Sequence, residues 1–298
     1  MAKNTKMRAF FLFIGLILLA LLLSAAVNYP LFTLIQDITD KGPHKLITII
    51  GKLFAIPGFI WILYRLNIAN KRDLGYQLSK PAFLAELLRG LGMGLALLGL
   101  LAFVLSFLDI RPVRTWDVIA PELGKIILVA LITGLIIGFI EETFFRGGLF
   151  AGIRQSHGFW TSAILSSLFY AWMHFINPPA LPAGESASFA NSFWILSHTF
   201  DDYANGGIWD GFIALFLLGM YLALIRERTG NIAYVIGVHA GMVAVIKGFK
   251  DIAPTNHSSD LIWLISDYDR TIGLLSAAGM AIHLIVTYYT WRKPKMAN

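Results

Sequence analysis

Three charged side chains stand where charge is costly. The stretch Leu135-Ile136-Ile137-Gly138-Phe139-Ile140-Glu141-Glu142-Thr143-Phe144-Phe145-Arg146 reads as one apolar helix carrying two carboxylates and a guanidinium. A charge at mid-bilayer costs about 2.5–3.5 kcal/mol on insertion scales, so such residues need partners and mark function. Helical phase divides their work. Glu142 and Arg146 are four positions apart on one face, in the favourable acid-before-base order, and can pair. Glu141 is turned by about 100° and has only Ile137 and Phe145 one turn away on its face. A carboxylate left so requires a cation, a metal or a proton donor from another segment, and an unpaired carboxylate is what a general base needs.

Two histidines in other apolar runs are candidate partners. His174 ends Phe169-Tyr170-Ala171-Trp172-Met173-His174, and His239 lies in Tyr234-Val235-Ile236-Gly237-Val238-His239-Ala240-Gly241. At the axial rise of an α-helix, Glu141 lies about 20 Å from Arg154 and His174 about 22 Å from Phe159, so their depths agree. His239 comes out shallower, about 12 Å from Asn231, a mismatch that tilt or a displaced helix start must absorb. If the three form one site, they converge within about 5 Å, a distance a single bridging water or ion can span. Other polar residues carry less. His283 has no matching carboxylate in its run and reads as a packing residue; His198 with Asp201 and Asp202 has metal-like spacing but lies in a polar connection.

The elements that must position these groups follow from composition. Of the 298 residues 57% are hydrophobic and 14% charged, and the mean hydropathy is +0.67. Soluble domains carry about 25% charged residues, so too little polar surface remains to cover a globule in water. With no cysteine, disulfides, thiolate ligands and a cysteine nucleophile are excluded. The net charge of +6 reads as loop cations that set orientation rather than as a nucleic-acid surface. Apolar runs at 9–27, 46–66, 83–108, 125–150, 159–176, 211–225, 232–246 and 271–291 predict about eight spans, an all-α polytopic membrane bundle. With the N-terminus cytoplasmic, the inside segments, which include Lys3, Lys6, Arg292, Lys293 and Lys295, collect 14 of the 24 lysines and arginines, and the outside segments 8. That asymmetry places both termini inside. The first run exceeds a signal-peptide core and reads as a retained helix. The connection 177–210 holds no Lys or Arg and is rich in aromatics, which suits an interfacial anchor better than a lid over a site.

The Glu141-Glu142-x-x-x-Arg146 motif, followed by His174 and later by the His239 helix, resembles the CPBP family of CAAX-processing and bacteriocin-associated intramembrane proteases, also called the Abi family. The stretch before His239, with Arg228-Thr229-Gly230-Asn231, resembles it too. The likeness covers about 123–248 and divides the chain into N-terminal helices at 1–122, a catalytic core at 123–250 and a last helix with its tail at 251–298. Two positions depart from the family's usual pattern: Tyr170 stands where Phe is common, and Val243 where Asn is common. The resemblance implies that Glu141 with His174 activates water for attack on a peptide carbonyl, that His239 stabilises the oxyanion, and that Glu142 with Arg146 holds the site in shape. It leaves a metal-free mechanism, which we favour, beside one in which zinc is held by Glu141, His174 and His239. It further implies a bacterial inner or plasma membrane, with lipid and a membrane-associated protein or peptide substrate as partners and no nucleic acid. Val243 keeps open a non-catalytic immunity or scaffold protein of the same fold, since valine cannot donate to an oxyanion. A transporter would call for broken helices in matched halves, and the sequence has no half-to-half symmetry.

Overall fold

The computed structural model describes residues 7–290; Lys3, Lys6, Trp291, Arg292, Lys293 and Lys295, used in the sequence reading, lie outside the described residues. The chain is a bundle of helices: α1 (Arg8–Ile35), α2 (Pro43–Arg65), the single turn α3 (Lys71–Leu74), α4 (Lys80–Phe107), the single turn α5 (Trp116–Ile119) and α6 (Leu123–Glu142). α6 continues as a π-helical segment, Thr143–Phe150, into α7 (Ala151–Arg154). Then follow α8 (Phe159–His174), α9 (Phe189–Ser197), the turn α10 (Asp201–Ala204), α11 (Trp209–Thr229), α12 (Ala233–Ile252) and α13 (Leu274–Thr290).

Each of the eight predicted runs coincides with a helix, and five are long and apolar enough to cross a membrane: Arg8–Ile38, Pro43–Arg65, Lys80–Phe107, Leu123–Arg154 and Trp209–Thr229. α8 and α13, of 16 and 17 residues, fall short of the roughly 20 that a perpendicular crossing needs. α12, the predicted seventh span, is enclosed by protein: every residue from Val235 to Met242 is buried. The helices form a membrane bundle whose lipid-facing rows remain exposed, as at Leu128, Ile132, Ile136 and Phe139 on α6.

The enclosure of α12 has a sequence cause. Three Gly-x-x-x-Gly pairs meet there: Gly90 and Gly94 on α4, Gly134 and Gly138 on α6, and Gly237 and Gly241 on α12 itself. A Cβ on Gly90 or Gly94 would collide with the carbonyl oxygens of Tyr234 and Val238, one on Gly237 or Gly241 with those of Leu87 and Leu91, and one on Gly134 with that of Ala240. Without side chains the backbones approach to contact, which is how helices gain van der Waals energy in a solvent as apolar as themselves. α12 therefore lies between α4, to which it runs parallel, and α6, to which it runs antiparallel. The turn into α12 is built locally. Gly230 ends α11 at φ +67°, where glycine carries no steric cost, and the Asn231 side chain accepts from the Ala233 N–H at 3.1 Å, capping α12.

α1 is part of the core. Phe13 is fully buried against Phe59 and Phe144, and Asn28 donates to Ser192 of α9 at 3.1 Å. The aromatic connection 177–210 folds against α1 and α8, with Phe200 stacked on Trp172 and the Tyr203 hydroxyl donating to the Trp172 carbonyl.

Candidate active site

The three charges of α6 sit at the point where the helix changes pitch. π-Helical segments occur frequently at functional sites. Here it begins one residue after Glu142, and the Thr143 hydroxyl, which donates to the Phe139 carbonyl at 2.6 Å, also contacts the Tyr76 hydroxyl at 2.5 Å. Glu142 and Arg146 are both buried and pair at 2.9 Å. Arg146 also donates to the Gly219 carbonyl at 3.2 Å, and its guanidinium lies 4.5 Å over the Tyr170 ring. Gly219 permits this reach, because α8 and α11 touch there with Ser167 against the glycine.

His239 Nδ1 lies 2.6 Å from Glu142 Oε1, so Glu142 is shared between Arg146 and the histidine. His174 Nδ1 donates to the Tyr170 carbonyl at 2.8 Å, a bond that only an N–H can make because a carbonyl accepts. Both rings thus turn Nε2 the same way. Glu141 Oε2 lies 3.6 Å from His174 Nε2 and 3.8 Å from His239 Nε2, and it is buried without a hydrogen-bond partner. The three groups that the spacing singled out converge inside the 5 Å expected of one site. His239 reaches Glu141 although its depth, counted from Asn231, came out shallower.

These atoms face a cavity of about 330 Å³, lined by Glu141, Tyr170, His174 and His239, by Val243 and Ile246 further along α12, by Leu98 of α4, by Leu215 and Leu218 of α11, and by Tyr268 and Asp269 from the connection before α13. A carboxylate and two imidazoles at the wall of a mostly apolar cleft are suited to move a proton to and from water beside a bound amide.

Residues 123–245, the part of the chain that supplies Glu141, Glu142, Arg146, His174 and His239, match the family model described as type II CAAX prenyl endopeptidase Rce1-like. This core belongs to the CPBP family. The family is one of CAAX-type intramembrane proteases, which agrees with a membrane bundle holding an acid–base cluster at an internal cleft. No curated protein and no solved structure matches the chain.

Within the CPBP core the donor set of two imidazoles and a carboxylate has the chemistry of a zinc site. Among the described residues, however, no group of three or more His, Cys, Asp or Glu side chains is arranged to hold a metal ion. His198 is likewise removed from metal-like company: its Nδ1 contacts the Trp194 carbonyl at 2.8 Å and its ring stacks on Trp194. His283 packs against Tyr221, 4.7 Å between ring centres, and does not line the cleft.

Sequence spacing missed three features of the CPBP site. The Glu142–His239 contact joins helices 97 positions apart, and nothing in either motif signals it. Tyr170, a mild departure by type, is a structural centre: its carbonyl sets the His174 tautomer and its ring carries Arg146. Tyr268 lies outside the matched core, and no motif marks it.

Proposed function

We propose that the chain is a metal-free endopeptidase that cleaves a membrane-associated protein or peptide within this cleft. The observation that carries the reading is the buried, unpartnered Glu141 Oε2 with two imidazole Nε2 atoms at 3.6 and 3.8 Å. Charge balance assigns the protons. Glu142 and Arg146 neutralise each other, and Glu141 is balanced when His239, set between two carboxylates, is the imidazolium. His174 gives its Nδ1–H to a carbonyl and in this reading acts as the neutral tautomer, offering the Nε2 lone pair.

A water donating one hydrogen to Glu141 and the other to His174 is aimed by both. Glu141 takes its proton as the water oxygen attacks the peptide carbonyl carbon, and His239 Nε2–H donates to the oxyanion that forms. When the C–N bond breaks, Glu141 returns the proton to the leaving amine. Arg146 and Glu142 touch no reacting atom; they fix the His239 ring and its charge. Both termini lie on the cytoplasmic side of a multi-pass bundle in this reading, as the excess of inside lysine and arginine requires.

The test uses the full chain in proteoliposomes with synthetic lipid-anchored peptides of randomised sequence, new termini being read by mass spectrometry. Wild type generates new termini and Glu141→Ala generates none; equal cleavage by the two sinks the mechanism. Activity lost to a chelator and restored by zinc replaces the metal-free mechanism with a metal one. The second reading, a non-catalytic scaffold, draws on Val243, which lines the cleft without a donor. A folded Glu141→Gln protein that keeps the full cellular phenotype favours it.

A further inference from the structure

Hydrolysis of an amide builds negative charge on the carbonyl oxygen, and the enzyme must supply hydrogen-bond donors at that point. The cleft is poor in them. Glu141 accepts, the neutral His174 accepts at Nε2, and Val243, one turn beyond His239, offers no polar atom. Beside Glu141 the donor is His239 Nε2, and only as the imidazolium. The other donors along the cleft narrow quickly. The Ser276 hydroxyl is committed to the Gly273 backbone at 2.9 Å. Lys247 and Lys250 leave α12 about 12 to 17 Å beyond His239 along the axis. Tyr170 is 1% exposed, its ring wedged against Arg146 and His174.

Tyr268 remains. It is 43% exposed and faces the cleft, with its ring edge-on to His174 at 6.4 Å and against Phe175 at 4.9 Å. Among the described residues its hydroxyl has no hydrogen-bond partner, whereas its backbone N–H is held by Ser266 Oγ at 3.2 Å. It lines the same cleft as His239 and Val243.

The loop that carries Tyr268 is held rigid. Ser266 N–H donates to the Ile272 carbonyl at 2.6 Å, Arg270 N–H to the Ser266 carbonyl at 3.0 Å, and Asp269 Oδ1 accepts from the N–H groups of Thr271 and Ile272 at 2.9 and 2.8 Å. From the connection after α4, the buried Arg111 reaches the Arg270 carbonyl at 3.1 Å and Thr271 Oγ1 at 2.6 Å. These bonds force Arg270 to φ +60°, a left-handed conformation that costs a non-glycine residue of order 1–3 kcal/mol. Strain retained in this way fits a loop that positions one side chain. Burial, then the negative charges of Asp269 and Glu141, push the Tyr268 phenol above the ordinary tyrosine range, so it keeps its proton, and the charge of Glu141 is felt there.

We propose that Tyr268 is a catalytic hydrogen-bond donor, its hydroxyl completing with His239 the pair that stabilises the oxyanion, in the role that Val243 cannot fill. The assignment rests on the peptidase reading. Tyr268→Phe removes one oxygen from a half-exposed ring, so the fold should survive, which an unchanged thermal melt checks. With the peptide cleaved fastest in the proteoliposome assay, this variant should lower kcat by about 10²–10³-fold, the usual cost of one oxyanion donor, with KM within a few-fold of wild type. An unchanged kcat, or a raised KM with kcat unchanged, overturns the donor assignment. If Glu141→Gln still abolishes cleavage in that case, the peptidase reading stands without Tyr268. Full activity in Glu141→Gln, or no cleavage by wild type, removes the peptidase reading and the donor with it.

Discussion

Of the three arginines buried among the described residues, Arg146 and Arg111 are treated differently. Arg146, 1% exposed, is matched by a carboxylate: Glu142 holds it at 2.9 Å and His239 holds Glu142 at 2.6 Å. Arg111, 2% exposed, is matched by neutral acceptors: the carbonyls of Phe249, Ala253 and Arg270, the Thr271 hydroxyl, and the Phe249 ring at 4.6 Å. The first cluster keeps a carboxylate and an imidazole in fixed charge states beside the cleft. The second ties the end of α4 to the loop that carries Tyr268. One arginine tunes charge and the other holds shape, and the two should fail in different ways.

The largest effect belongs to Arg146. Arg146→Met leaves Glu142 buried with only His239 to answer it, and removing one partner of a buried pair costs about 3–5 kcal/mol. The double variant Glu142→Gln/Arg146→Met should recover a large part of that stability while remaining inactive, because His239 then loses its carboxylate. Chemical unfolding in detergent measures both, and equal stability of the single and double variants would break the contrast.

Arg111→Met should cost less, about 1–3 kcal/mol, since it strands mainly carbonyl acceptors, and Asp269 keeps the Thr271 and Ile272 N–H groups. Its distinctive consequence is catalytic: kcat should fall toward the level of Tyr268→Phe, and combining the two should add little further loss. Additive losses would show that Arg111 does not act through Tyr268.

The smallest effect concerns Asp269, beside Arg111. Burial raises its carboxyl above the ordinary value, against opposing contributions from the Thr271 and Ile272 N–H groups, Lys250 and Arg111. A raised folded-state pKa gives stability that is complete below the unfolded value, about 3.9, and lost as pH rises through the folded value. Asp269→Asn keeps the acceptor and removes the titration, so its melting temperature should fall less than that of wild type across that window. Identical slopes would mean that the carboxyl gains no net protonation from its burial.

The contrast also explains what could be read along the chain. Glu142 and Arg146 lie four positions apart in a helix, so their pairing follows from helical geometry alone. Nothing along the chain marks the role of Arg111, because its acceptors lie 138 to 160 positions away and are mostly backbone carbonyls, which carry no residue-type signal. His239 was legible as a candidate by its placement in an apolar run. Its contact with Glu142 was not, because nothing along either helix signals which faces pack together. The seventh predicted run became the most enclosed helix through three glycine pairs whose meeting depends on three separate helices.

By itself the sequence determined that the chain is a helical membrane protein, that Glu141 is turned away from the Glu142–Arg146 pair, and that His174 and His239 are the groups available to it. Those conclusions rest on hydropathy, helical period and the cost of charge in lipid, which act locally along the chain. The tertiary structure decided that both Nε2 atoms turn to Glu141, that Glu142 serves Arg146 and His239 together, and that Tyr268 faces the cleft. Those depend on which helix faces pack and on backbone acceptors far away in the chain. Packing of nearly featureless apolar surfaces leaves little imprint on residue type beyond a few glycines.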